Sequence, residues 1–118
     1  MPSEHDYHAA IVMAINSMAT ACHDNAIAHG WWTEAGRNDG ELLALIHSEL
    51  SECLEALRDG NPESRATPGH CSAVEELADA VIRILDMAAA RGWAIGDAIV
   101  AKHEFNKGRA IRHGGKAF

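Results

Sequence analysis

One stretch constrains this chain more than any other. Residues 72–91 read SAVEELADAVIRILDMAAAR, with neither proline nor glycine. At 100° per residue, the five charged positions from Glu75 to Asp86 (Glu75, Glu76, Asp79, Arg83 and Asp86) fall within about 100° of arc. The remaining ~260° along that span is alanine, valine, leucine, isoleucine and methionine. A helix apolar on most of its girth belongs at the centre of a fold, with neighbours on several sides. Its single polar stripe faces either water or a site.

The rest of the chain supplies those neighbours. Residues 3–29 predict a first helix: Ser3 is a candidate cap, Asp6 stands at the capping-box position, and Gly30 can end it. Ile11, Ile15, Met18, Cys22 and Ile27 roughly follow its period. After the loop GWWTEAGRNDG, Asn38 or Asp39 caps a second helix over 41–58. Residues 59–71, rich in Gly, Pro, Asn and Ser, read as a loop. Ser72 with Glu75 forms a capping box for the third helix, 72–91, and Gly92 stops it. A fourth helix covers 95–107, and a basic tail 108–118 follows. No alternating β-branched run occurs. The expected fold is an all-α, four-helix single domain over 1–118. Four short helices in 118 residues make a modest core, so packing as a homo-oligomer, a homodimer or homotetramer, is expected.

Charge narrows the partners. The net charge is −7, yet Lys102, Lys107, Arg109, Arg112 and Lys116 face only Glu104 among the last eighteen residues. An acidic body argues against duplex nucleic acid. It suits a metal ion held by the acids and an anion held by metal and tail together. No apolar run approaches the ~20 residues of a membrane span. The polar start MPSEHD has no signal-peptide character, and three cysteines with no Cys-x-x-Cys spacing argue against a disulfide scaffold or a structural zinc site. A cytoplasmic location is expected.

Two acidic pairs carry the chemistry. Glu49-x-x-Glu52 lies on the second helix and Glu76-x-x-Asp79 on the third. Residues three apart share a helix face, so each pair sets like charges together, which repel unless a cation lies between them. Glu49 falls inside the apolar arc defined by Leu42, Leu45, Ile46, Leu50, Cys53 and Leu57, where an unpaired carboxylate is costly. Two such pairs facing each other make an all-oxygen cage suited to Mg²⁺, with Mn²⁺ as a substitute. No glutamate has a histidine three residues on, which demotes a di-iron carboxylate site.

The pattern Glu49-x-x-Glu52, a gap, then Glu76-x-x-Asp79 resembles the MazG-like all-α nucleotide pyrophosphohydrolases, whose signature is Glu-Glu-x-x-Glu followed by Glu-x-x-Asp. The run Lys102-His103-Glu104-Phe105-Asn106-Lys107-Gly108-Arg109, with His113-Gly114-Gly115-Lys116, is similar to the ending of small stand-alone, phage-like members. One departure stands out: Ser48 occupies the place of the first signature glutamate. The resemblance implies Mg²⁺-dependent hydrolysis of a nucleoside triphosphate to monophosphate and pyrophosphate. It implies metal ligation by Glu49, Glu52, Glu76 and Asp79. Glu52 and Glu49 are then the catalytic candidates, with Glu52 preferred to take the proton from water. Lys102, Asn106, Lys107 and Arg109 would hold phosphates, and Trp32 would stack on the base. Rival expectations are a catalytically silent helical dimer that binds nucleotide or a partner protein, and a related enzyme acting on phosphoribosyl-ATP.

Overall fold

A computed structural model describes residues 1–109. Over them the chain forms four helices and no strand: α1 (Glu4–Ala28), α2 (Asp39–Arg58), α3 (Ser72–Arg91) and α4 (Ile95–Lys107). The all-α, four-helix single domain is as expected. An isolated bridge joins Glu63 and Cys71 within the α2–α3 loop. No described helix is long and apolar enough to cross a membrane.

The helix ends follow their local chemistry, with one exception. Ser3 opens α1 by a reciprocal pair: the Asp6 N–H donates to Ser3 Oγ at 3.1 Å, and the Ser3 N–H donates to the Asp6 carboxylate at 2.9 Å. Asn38 caps α2 by accepting from the Glu41 N–H at 3.2 Å, so α2 starts at Asp39 rather than at 41. Gly92 ends α3 in the left-handed region, φ 70°. The start of α3 is the exception. Cys71, not Ser72, is the cap residue, and it makes no side-chain cap bond. The folded-back loop has taken the capping-box side chains. Ser72 Oγ donates to the Pro62 carbonyl and Glu75 accepts from Ser64 Oγ, both at 2.7 Å. Ser64 is buried and accepts in turn from the Thr67 N–H and Oγ1 at 3.0 Å.

α3 is the central helix. It packs between α2 and α1 and touches α4 lightly, while α4 leans mainly on α1 and, among the described residues, α2 meets no helix but α3. The helices therefore stand in the order α2, α3, α1, α4 instead of closing into a bundle. Ala19 and Cys22 of α1 and Leu85 of α3 form the core, with Ile15, Ala89 and Ile95 against it. α4 is clamped from outside its own sequence. The Gly96 N–H donates to Asn16 Oδ1 at 2.8 Å, and Asn16 Nδ2 donates to Asp97 Oδ1 at 2.9 Å. A Cβ at Gly96 would meet the Val12 carbonyl oxygen at 2.6 Å, so only glycine admits this approach.

Candidate functional site

The packing of α2 on α3 brings the acids of both helices to one place. Glu49, Glu76 and Asp79 each offer a carboxylate oxygen within 4.8 Å of the others. Glu49 is buried, Glu76 and Asp79 are half-buried, and Glu52 is exposed at the rim, within reach of Glu49 and Glu76. Arg83, one turn beyond Asp79 on the same stripe, donates from Nε to Glu49 Oε1 at 2.8 Å.

Four acids around one arginine titrate unequally. Glu76 is pushed up to about 7, by burial first and then by Glu49 and Glu52. Burial also leads in raising Asp79, helped by Glu49 and Glu75 and opposed by Arg83. Glu52 is raised, above all by its hydrogen bond with Glu49. Glu49 alone is lowered. Burial is the largest influence on it and pulls upward, but the bond from Arg83 and those shared with Glu52 and Glu76 outweigh it.

This donor set fits a hard divalent cation. Ligand atoms on opposite sides of a six-coordinate Mg²⁺ stand about 4.2 Å apart. The three oxygens lie within 4.8 Å of one another, near enough for one ion to be shared among them. All-carboxylate coordination suits Mg²⁺ or Mn²⁺ and not a thiophilic metal.

A cleft of about 270 Å³ opens beside the acids. Glu49, Asp79 and Arg83 form one wall, and Asn25, Trp31 and Arg37 stand in others. The Arg37 guanidinium lies 6.0 Å from the Trp31 ring and 5.2 Å from that of Trp32. Trp32, the indole expected to meet a base, has other partners. Its Nε1 donates to both oxygens of buried Asp86, at 3.0 and 3.2 Å. The His23 ring meets it edge-on at 5.1 Å, and the Arg91 guanidinium lies 5.9 Å from its centroid. The exposed indole in the cleft is Trp31.

The α4 residues stand apart from this cleft. Lys102 and Asn106 share a face, as their spacing predicts, and line a shallow hollow with Ala98, Ile99 and His103. Lys102 Nζ lies 4.6 Å from the Phe105 centroid. Lys107 Nζ is 3.3 Å from Glu104 and 3.7 Å from Glu4. The Arg109 guanidinium lies 6.0 Å from the Phe105 ring. None of the four lines the carboxylate cleft. The His113–Lys116 segment lies outside the described residues. Ser48 points its hydroxyl to the Leu45 carbonyl at 2.6 Å, so it is engaged with its own helix.

Sequence reasoning did not assign roles to Arg83, Arg37 or Asp86, and of the adjacent indoles Trp31 and Trp32 it gave the base to Trp32 and packing to the other. Arg83 had a signal: it repeats the stripe of Glu76 and Asp79 at helical spacing. Arg37 and both indoles lie on an irregular loop, where no periodicity marks a direction, and the structure puts Trp31 rather than Trp32 in the cleft. Comparison with protein-family models, curated proteins and solved structures gave no match.

Proposed function

We propose that this chain is a Mg²⁺-dependent nucleoside triphosphate pyrophosphohydrolase that cleaves (d)NTP to (d)NMP and pyrophosphate and so cleanses or tunes a nucleotide pool. The convergence of Glu49, Glu76 and Asp79 on one point carries the reading. A bound divalent cation supplies charge neutralisation at phosphate oxygens and acidifies a coordinated water. The protein's own groups do the rest. Glu49, Glu76 and Asp79 hold the ion, with Glu52 as the fourth ligand at the rim. Glu52 is also the most accessible of the four, and its hydrogen bond with Glu49 raises its proton affinity, which suits it to accept a proton. Arg37 and Arg83 replace the α4 residues as the phosphate-holding pair within one chain, since a guanidinium grips two phosphate oxygens at once. Trp31 offers the exposed indole face for the base, a contact worth about 1–3 kcal/mol.

A second reading has one observation in its favour: Arg83 already neutralises Glu49. In that reading the site is catalytically silent and binds nucleotide or a partner without turnover. A panel of canonical and modified NTPs and dNTPs, with phosphoribosyl-ATP included, separates the two at saturating Mg²⁺. Pyrophosphate release that disappears in Asp79→Asn supports the enzyme. Nucleotide binding without any release supports the silent protein.

A further inference from the structure

Two arginines of α3 hold acids of α2, and they hold them differently. Arg91, at the helix end, is fastened at several points. Its Nε and Nη2 both reach Asp39 Oδ1, at 2.8 and 2.7 Å, and Nη2 also donates to the Arg37 carbonyl at 2.7 Å. Arg83 has a single bond, from Nε to Glu49 Oε1 at 2.8 Å, and makes no other hydrogen bond among the described residues. A guanidinium carries five N–H donors, so those on both Nη atoms of Arg83 are left over. Its side chain is 33 % exposed and lines the cleft beside the acids. A long side chain pinned at one atom, with most of its donors unused and open space beside it, can turn away without breaking the fold.

The acid it holds is under two claims. Glu49 is buried, and a buried carboxylate without a partner is costly, so Arg83 stabilises it. Glu49 is also one of the three residues whose oxygens converge within 4.8 Å. A divalent cation drawn to those oxygens shares Glu49 with the guanidinium, and two positive groups on one partly dehydrated carboxylate repel strongly. The doubly charged ion has three acids to hold it, whereas Arg83 has one. The arginine is therefore the group that yields.

We propose that Arg83 is a displaceable counter-cation: it holds Glu49 until a divalent cation arrives, then leaves and presents its guanidinium to the phosphate oxygens of the substrate. The inference rests on the metal reading of this site and adds an order of events to it. While Arg83 is engaged with Glu49, a polyphosphate meets the acids with one fewer cation to receive it. Once released, the planar Nη pair matches two phosphate oxygens, which a lysine does not. The ion pair that favours a silent protein if it is permanent becomes, if it is exchangeable, the contact that keeps the cleft from nucleotide lacking its metal.

Calorimetric titration of the full chain with Mg²⁺ alone tests the exchange. Arg83→Gln, which leaves Glu49 a neutral donor, tightens Mg²⁺ binding about tenfold, the worth of one charged hydrogen bond at a half-exposed position. The same variant weakens a nucleoside triphosphate with a methylene bridge between its α- and β-phosphorus about tenfold in Mg²⁺. Arg83→Lys keeps the wild-type Mg²⁺ affinity, because it keeps the charge, and loses the analogue. A prop for Glu49 and nothing more gives Arg83→Gln an unchanged or weaker affinity for Mg²⁺, which overturns the proposal. A second measurement needs only wild-type protein, with Arg83→Lys used to assign the Nε–H signal of Arg83. That signal shifts and its hydrogen exchanges faster as Mg²⁺ is added; an unmoved signal at saturating Mg²⁺ overturns the proposal as well. Mg²⁺ binding by none of the proteins removes the metal reading and this inference together. Exchange of arginine for ion without binding of the analogue by the wild type breaks the nucleotide reading alone and leaves the exchange standing.

Discussion

Asp86 and Glu49 are both buried acids on neighbouring helices, 8 % and 7 % exposed, yet they are held in different ways. Asp86 is surrounded by donors: the Trp32 indole N–H binds both its oxygens and His23 Nδ1 lies 2.8 Å away. Among the described residues Glu49 has one cation, Arg83, and otherwise faces other acids. A carboxylate ringed by donors fastens structure. A carboxylate ringed by carboxylates asks for a cation that is not part of the chain. Both acids line the same cleft, so the comparison separates one fastened by donors from one held among other acids.

The largest expected effect tests the second half of that contrast. Asp79→Asn or Glu49→Gln cuts pyrophosphate release on the order of 10³-fold, the scale for losing a charge-stabilising group, with helicity unchanged. Steady-state release measured with inorganic pyrophosphatase coupling reads it directly, and retained turnover breaks the contrast. Asp86→Ala tests the first half. It strands the Trp32 N–H and the His23 ring, and lowers unfolding stability by about 3 kcal/mol in urea titration. Next comes the ion itself. Mg²⁺ at a hundredfold excess over its Kd stabilises the wild type by about 2.7 kcal/mol, and Asp79→Asn abolishes the accompanying rise in Tm.

The smallest effect sharpens the comparison through pH. Glu76 sits at about 7 in the fold against 4.5 for a free side chain, so the native chain holds an extra proton between those values. Its contribution to metal-free stability is fully present below 4.5 and is lost as pH rises through about 7. Glu76→Gln flattens that slope and raises stability at pH 8 by no more than about 1 kcal/mol, measured by thermal denaturation without metal. With Mg²⁺ present the trend of the wild type reverses, because binding needs the deprotonated acid.

Much of the fold was legible because its signals are local. Ser3 and Asp6, Asn38, Gly30 and Gly92 act within one turn of themselves, and the charged arc of α3 announced a central helix. The Ser72–Glu75 box failed because a loop ten residues upstream competes for the same side chains, a long-range event with no local mark. The acids were legible for the same reason as the helix: Glu49 with Glu52, and Glu76 with Asp79, are pairs at helical spacing. The choice between Trp31 and Trp32 was not. Two adjacent indoles point apart, and which one turns inward depends on Asp86, more than fifty residues away. The distance between the α4 bases and the cleft was equally hidden, because helix order in space is not written in spacing along a chain.

The placement of α2 at the end of the row has a consequence for how long the acids stay together. Among the described residues its one helix seam is with α3, so its detachment would carry Glu49 and Glu52 away from Glu76 and Asp79 in a single movement. An ion gripped by both helices would act as a rivet across that seam. Amide hydrogen exchange along α2 would then slow when the ion arrives, while α4, clamped by Asn16 on the far side, would keep its pace.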